Sequence, residues 1–99
     1  MTRRISLAPQ AENDLVGIWH YTVREWSETQ AERYLAGLDD VFALLASQPE
    51  IARLRREIVP PVRVHSYRSH LVIFTADEGV MEVIRVVHGR SNWVELLAD

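Results

Sequence analysis

The sequence contains no cysteine, no lysine and no long apolar run. Without cysteine there is no disulfide framework and no thiolate chemistry, and nothing indicates export. The opening "MTRRISLAPQ" lacks the apolar core of a signal peptide, and no stretch approaches the ~20 apolar residues of a membrane span. These absences predict a cytoplasmic protein with no membrane role.

The charge balance argues against a protein that reads nucleic-acid backbones. The 11 basic residues, all arginine, face 14 acidic ones, and the formal net charge is -3, whereas domains that bind nucleic acid usually carry a basic excess. We therefore expect no direct DNA binding by this chain alone. The lack of lysine is explained most simply by genome composition; the alternative is a use of arginine as a planar fork toward carboxylates or phosphates.

A short strand and an amphipathic helix are predicted at the start of the chain. Residues Ile5–Ala8 form the strand, and Pro9 fits the first position of a helix, where its missing N–H costs nothing. From Ala11 onward apolar residues recur on one helical face until the helix ends near Arg24.

A second amphipathic helix follows after a few residues. Ser27 and Gln30 fit a capping box, which starts the helix at about Glu28, and Pro49 marks its end. Two such helices joined by a short turn predict an antiparallel hairpin with both apolar stripes facing a shared core.

The second half of the chain changes to the two-residue period of strands. After a charged loop over residues 50–61, the strands Val62–Tyr67, His70–Ala76 and Val80–His88 predict an antiparallel meander. Residues 91–97, "SNWVELL", predict a short terminal helix or tail. The fold class is therefore α+β, a single domain over residues 1–99 with the hairpin packed on one sheet face.

Strict alternation along the last strand divides its apolar residues between the two sheet faces. One set is Met81, Val83 and Val87, and the other is Val80, Ile84 and Val86. Because the helices can cover only one face, the set that includes Met81 and Val83, together with Arg85, is predicted to form an uncovered apolar surface. Such a surface indicates a partner site.

Arg85, His88 and Arg90 form a candidate catalytic set. A ribonuclease needs a base, an acid and cations on the phosphate, and these residue types can supply them. Arg85 and His88 are three residues apart on a strand, however, so alternation sends them to opposite faces. His88 is therefore interpreted as a hydrogen-bonded residue at the strand end. No histidine pair has metal-ligand spacing with a carboxylate, and we expect neither a metal nor a cofactor.

The three tryptophans have different expected roles. Trp19 lies on the apolar stripe of the first helix and is predicted to be in the core. Trp26 lies in the hairpin turn and is interpreted as a cover over the helix ends, with an exposed anchor as the alternative. Trp93 either folds back onto the sheet or is presented to a partner, since interface anchors are enriched in Trp.

Four stretches carry a resemblance to a known family. They are "LAPQAENDLVGIWHYT", "QAERYLAGLDDVFALLASQP", "VRVHSYRSHLVIFT" and "EVIRVVHGRSNW". Over nearly the whole chain the sequence resembles the ParE toxins of the RelE/ParE superfamily of type II toxin–antitoxin systems. The resemblance implies a RelE/ParE-like fold and a toxin that poisons DNA gyrase, is neutralised by a ParD-like antitoxin and takes part in plasmid or genome stabilisation.

The related RelE branch, which cuts mRNA on the ribosome, is the alternative. RelE-type nucleases resemble one another in a basic surface and in Lys, Arg and a C-terminal Tyr around the scissile phosphate. Here lysine is absent, the net charge is negative, and Trp93 stands near where that Tyr would be. Indole has no proton that titrates near neutrality, so a non-enzymatic gyrase inhibitor is the leading hypothesis. A folded adaptor without toxicity is a third.

Two groups of site residues follow from these interpretations. Surplus apolar positions and arginines that suit acidic partner residues predict an antitoxin-binding surface of Val16, Val23, Arg63, Met81, Val83 and Arg85. The end of the last strand and the tail predict a target-inhibition surface of His88, Arg90, Trp93, Leu96 and Leu97.

Overall fold

The structure is a computed structural model that describes residues 2–97. This part of the chain consists mainly of a helical hairpin and a five-stranded mixed sheet. The first residue and the last two residues of the predicted domain 1–99 lie outside this range. The elements in chain order are β1 (Arg4–Leu7), α1 (Pro9–Glu25), α2 (Glu28–Ser47), β2 (Arg53–Arg55), β3 (Val62–Tyr67), β4 (His70–Ala76), β5 (Val80–His88) and α3 (Trp93–Leu96), with a 3-10 turn at Pro49–Ile51 before β2. The predicted α+β class is confirmed.

The two long helices begin where the sequence predicts. Pro9 is the first residue of α1, and the Ser27 hydroxyl accepts a hydrogen bond of 3.0 Å from the backbone N–H of Gln30 at the start of α2. This bond satisfies one of the N–H groups that a helix start leaves unpaired. Within residues 2–97 no helix combines the length and the apolar character needed to cross a membrane.

The sheet contains more strands than the predicted meander. Its order is β1-β5-β4-β3-β2, with β1 parallel to β5 and the remaining neighbours antiparallel. The meander of β3, β4 and β5 is confirmed. The loop predicted over residues 50–61 is wrong in part, because β2 pairs with β3 there. A three-residue strand rich in arginine has too little apolar periodicity to be detected from sequence.

The main core lies between the helical hairpin and one sheet face. Residues from β5 are among its most buried members: Met81 and Val83 are both 0% exposed. The expectation that these two side chains lie on an uncovered face is therefore wrong, because the hairpin packs on that face. The buried members of this core are Ala11, Ile18, Leu38, Phe42, Leu45, Ala46, Ala52, Val72, Phe74, Met81, Val83 and Val86.

A β-bulge in β5 also changes which of its apolar residues share a face. Ile73 of β4 pairs with Arg85, whereas the next residue, Phe74, pairs with Val83, so Ile84 is an extra residue in β5. One inserted residue reverses the facing of every position beyond it. Met81, Val83 and Val86 consequently share the main core, and Ile84 and Val87 lie on the other face.

The other face of the sheet carries a smaller apolar cluster. Its buried members are Val62, Ile73 and Val87, and the partly buried side chains packed against it include Ile58, Trp93 and Leu97. The loop before β3 and the C-terminal segment thus cover the face that the hairpin leaves open.

Candidate functional site

An ion pair joins α1 to the bulge of β5. The Arg85 guanidinium donates to the Asp14 carboxylate through Nε at 2.8 Å and through Nη2 at 2.9 Å. The same carboxylate accepts a bond of 2.9 Å from the backbone N–H of Val86. This pairing raises the pKa of Arg85. Arg85, predicted to pair with an antitoxin carboxylate, therefore pairs within its own chain.

A groove of about 540 Å³ lies beside this ion pair. One wall is α1 with the turn that follows it, and the other is the sheet end where β4 begins and β5 ends. The side chains of Tyr21 and Trp26 are more than half exposed, and Trp26 reaches 74%. The interpretation of Trp26 as a cover over the helix ends is therefore wrong, and the alternative of an exposed aromatic side chain is confirmed. The residues that line the groove are Asn13, Asp14, Gly17, Ile18, Tyr21, Trp26, Ser69, His70 and His88.

Two histidines from neighbouring strands form the polar end of the groove. His70 and His88 are paired across β4 and β5, and their ring centroids lie 5.6 Å apart in an edge-on arrangement. The Tyr34 hydroxyl lies 2.6 Å from His70 Nδ1. Burial, and after it the neighbouring His88, lowers the pKa of His70, and burial raises the pKa of Tyr34.

A close contact between α2 and β3 supports this end of the groove. The Tyr67 hydroxyl donates to the backbone oxygen of Tyr34 at 3.3 Å and passes directly over Gly37, where a methyl group would overlap it. Glycine at this position therefore allows the Tyr67 ring to approach the helix. Within residues 2–97, no group of three His, Asp or Glu side chains lies close enough to hold a metal ion.

The predicted catalytic set does not assemble as a set. His88 Nδ1 accepts a bond of 3.1 Å from the Arg90 backbone N–H, and the His88 oxygen accepts 2.6 Å from the Ser91 hydroxyl. The interpretation of His88 as a hydrogen-bonded residue at the strand end is confirmed. Arg85 is bound to Asp14 of α1, and Asp14 and His88 both line the groove.

Trp93 folds back onto the sheet, which confirms the first of its two alternatives. Both Trp93 and Leu97 pack against the smaller cluster, and the Arg55 guanidinium lies 5.0 Å from the centroid of the Trp93 ring, within the distance of a cation–π contact. Of the predicted target-inhibition residues, Leu96 is 43% exposed, and His88 and Arg90 are also exposed.

The remaining predicted antitoxin-binding residues come from α1 and β3. Val16 on α1 is 53% exposed, and Val23 is half-buried. Arg63 donates through Nη1 to the Ala52 oxygen at 2.8 Å. Trp19, predicted to be in the core, is only half-buried.

Sequence reasoning missed the groove and its principal residues. No recognised catalytic or binding motif includes Tyr21, Tyr34 or His70. The spacing of the histidines was informative only about a metal site, which it argued against. A signal was present on α1, because Asn13, Gly17 and Tyr21 recur every four residues beside the core stripe. A second stripe of this kind indicates a helix face that the chain itself does not cover.

The geometry defines a small α+β domain with an open groove between α1 and the sheet. One ion pair, Arg85–Asp14, joins α1 to β5, and the exposed side chains of Tyr21 and Trp26 border the groove. Comparison with known proteins then identifies the family.

A model of the family described as "ParE toxin of type II toxin-antitoxin system, parDE" matches residues 5–93. The chain is 37% identical over 93 residues to Toxin ParE1 of Mycobacterium tuberculosis, covering 93% of this chain and 95% of that protein. It is 34% identical over 94 residues to Toxin ParE of Escherichia coli, covering 94% and 91%. The chain belongs to the ParE toxin family of type II toxin–antitoxin systems.

A solved structure supports the fold independently. The chromosomal ParDE TA system from P. aeruginosa contains a chain that superposes with a TM-score of 0.74 at 16% identity, covering 88% of this chain and 96% of that one. The predicted ParE resemblance and its RelE/ParE-like fold are confirmed.

Proposed function

We propose that this chain arrests bacterial growth by poisoning DNA gyrase in the cytoplasm and that a ParD-like antitoxin neutralises it. The match to ParE toxins over more than nine-tenths of the chain carries the proposal. The structural neighbour from P. aeruginosa is a ParDE system, which supports an antitoxin of the ParD type. Gyrase is the target that the ParE resemblance implies.

We further propose that the toxin acts without catalysis. The Arg85 guanidinium, which a ribonuclease would need for the phosphate, is bound to Asp14 within the chain. Trp93, near the position of the RelE tyrosine, packs on the sheet beneath Arg55. The absence of lysine supports the same conclusion, because no ammonium group is available for a phosphate.

The surfaces that we propose for the antitoxin and for the target each contain fewer residues than the sequence predicted. For the antitoxin, Val16, Val23 and Arg63 remain accessible candidates, since Met81 and Val83 are buried. Exposed Val16 offers apolar area at the surface of α1, and an arginine suits an acidic antitoxin residue. Replacement of Val16 by Asp should reduce rescue by a co-expressed ParD-like antitoxin while leaving toxicity intact.

For the target, we propose His88, Arg90 and Leu96, the exposed members of the predicted set. The double variant Arg90→Ala/Leu96→Ala should lose toxicity without loss of folding. Arg33→Ala, which removes an exposed arginine from α2, is the matched control and should remain toxic.

The decisive experiment is to induce the chain in a bacterium and examine DNA and mRNA together. Gyrase-linked DNA breaks with intact mRNA are expected, and purified gyrase incubated with the full chain should accumulate cleaved DNA. Codon-phased mRNA cuts with intact DNA would replace this proposal by the endonuclease alternative. Growth arrest with neither lesion, or no arrest at all, would also contradict it.

The substitution Trp93→Tyr tests the non-catalytic proposal directly. It restores a phenol near the position of the RelE tyrosine, and we expect no mRNA cleavage because no lysine accompanies it. Cleavage gained by this variant would refute the non-catalytic proposal.

A further inference from the structure

The two histidines of the groove, His70 and His88, each have a ring nitrogen, Nε2, that can donate a hydrogen bond into the groove and has no acceptor within the described residues. Because the Arg90 N–H donates to His88 Nδ1, the neutral His88 ring must carry its proton on Nε2. The Tyr34 hydroxyl can donate to Nδ1 of a neutral His70 and accept from a protonated one, so this contact persists in both states. In the part of the chain that the structure describes, neither Nε2 atom has a hydrogen-bond partner.

The electrostatic surroundings of the pair favour an anion. The only carboxylate among the described lining residues is that of Asp14, and three donors from Arg85 and Val86 already occupy it. One arginine lies next to a lining residue of the groove: the Arg24 guanidinium is 5.9 Å from the centroid of the Tyr21 ring, and it contacts the Glu25 carboxylate at 3.5 Å. The titratable and charged groups around His70 are Asp14 from α1, Tyr34 from α2, Tyr67 from β3, Arg68 from the following turn, and Arg85 and His88 from β5.

The aromatic wall supplies apolar contact area next to these donors. Tyr21 and Trp26 are exposed and stand on the opposite side of the groove from the histidines. Trp, Tyr and Arg are the residue types that dominate binding energy at protein interfaces. A groove of about 540 Å³ has room for side chains of one short segment.

We propose that this groove docks an acidic segment of a protein partner. One carboxylate of the segment lies between Nε2 of His70 and Nε2 of His88, with each oxygen accepting one N–H. A neighbouring apolar side chain of the segment packs on Trp26 and Tyr21. The proposal does not depend on whether the toxin acts on gyrase or on mRNA.

Binding of this kind is coupled to protonation. Burial and the neighbouring His88 disfavour the charged form of His70, and a bound carboxylate favours that form. The complex therefore takes up protons as it forms, and by linkage its affinity increases as the pH falls. A site that recognises only the apolar part of a ligand would show no such dependence.

The test uses phenylacetate as the probe and phenylacetamide as its uncharged counterpart, each titrated into the full chain. NMR follows the His70 and His88 ring nitrogens and the Trp26 indole N–H. We expect all three to shift with phenylacetate, with the amide bound about tenfold more weakly, equivalent to about 1.4 kcal/mol. Affinity for phenylacetate should also be higher at about pH 6 than at about pH 8, on the two sides of the ordinary imidazole pKa.

Matched variants locate the site. His88→Gln and Trp26→Ala change exposed residues and should each weaken phenylacetate binding, with melting curves to verify folding. His20→Gln, which changes an exposed histidine of α1 outside the groove lining, should bind as the unmodified chain does. Equal affinity for acid and amide, or no shift at the three reporters, would overturn the proposal. Tighter binding of adenosine monophosphate than of phenylacetate would also overturn it, in favour of a nucleotide site.

Discussion

Removal of the Asp14 carboxylate should destabilise the fold strongly. The variant Asp14→Ala deletes two charge-assisted bonds from Arg85 and one bond from the Val86 N–H. It leaves the guanidinium with Gln10 Oε1 at 3.3 Å as its remaining described partner. The two charged side chains are only 17% and 15% exposed, so water can replace the lost contacts only in part.

The magnitude follows from these contacts. Hydrogen bonds to charged groups contribute ~1.5–3 kcal/mol each, and loss of one partner of a buried pair costs ~3–5 kcal/mol. Because this pair is partly accessible, we expect a loss of ~2–4 kcal/mol in the free energy of unfolding. For a chain of this size that corresponds to a fall of ~10–25 °C in Tm.

Urea unfolding followed by circular dichroism measures the effect, with Asp40→Ala as the control because Asp40 is an exposed aspartate of α2. The double variant Asp14→Ala/Arg85→Ala completes the cycle, and it should be less destabilised than the sum of the two single variants. A loss for Asp14→Ala no larger than that for Asp40→Ala would refute the structural role of the pair.

Three further changes probe the rest of the structure. Gly37→Ala should cost ~1–3 kcal/mol because its methyl group overlaps the Tyr67 ring, and thermal melts of this variant with and without Tyr67→Phe should show partial relief in the pair. Deletion of residues 91–99 should cost ~2–3 kcal/mol, measured by urea unfolding, since it removes half-buried Trp93 from the smaller cluster. Folding lowers the pKa of His70, so just below about pH 6.5 the unfolded chain binds more protons than the folded chain. The free energy of unfolding should therefore decrease as the pH is lowered, and more steeply than in the His70→Gln variant.

The first two of these changes have matched control variants. Gly17→Ala places a methyl group in open space and should stabilise α1 by ~0.5–1 kcal/mol; destabilisation like that of Gly37→Ala would argue against the overlap. Val94→Ala removes an exposed side chain of α3 and should change stability little. Parallel pH profiles for His70→Gln and the unmodified chain would contradict the His70 prediction.

The helices and the meander were predictable because each has a strong local signal. Pro9, the Ser27 cap and the apolar stripes fix the helices, and the alternation of β3 and β4 fixes their facing. The parallel pairing of β1 with β5 was not predictable, because it depends on a contact between Arg4 and Val80 that no local pattern encodes.

The bulge accounts for most of what the sequence did not reveal about the site. Counting outward from the pair Ala76 and Met81, regular pairing would place His70 opposite Val87. The extra residue Ile84 moves the partner of His70 to His88 instead. Alternation alone does not reveal an inserted residue, so the pairing of the two histidines does not follow from it.

The pairing of β1 with β5 also constrains how the toxin is made. The first strand to leave the ribosome hydrogen-bonds to the last strand of the sheet, with Arg4 beside Val80, and non-local strand pairs of this kind form late because the intervening chain must first be brought together. β1 therefore has no strand partner until β5 has been synthesised. The sheet cannot be completed before β5 has emerged from the ribosome, and an antitoxin that recognises the complete sheet can bind only after that point.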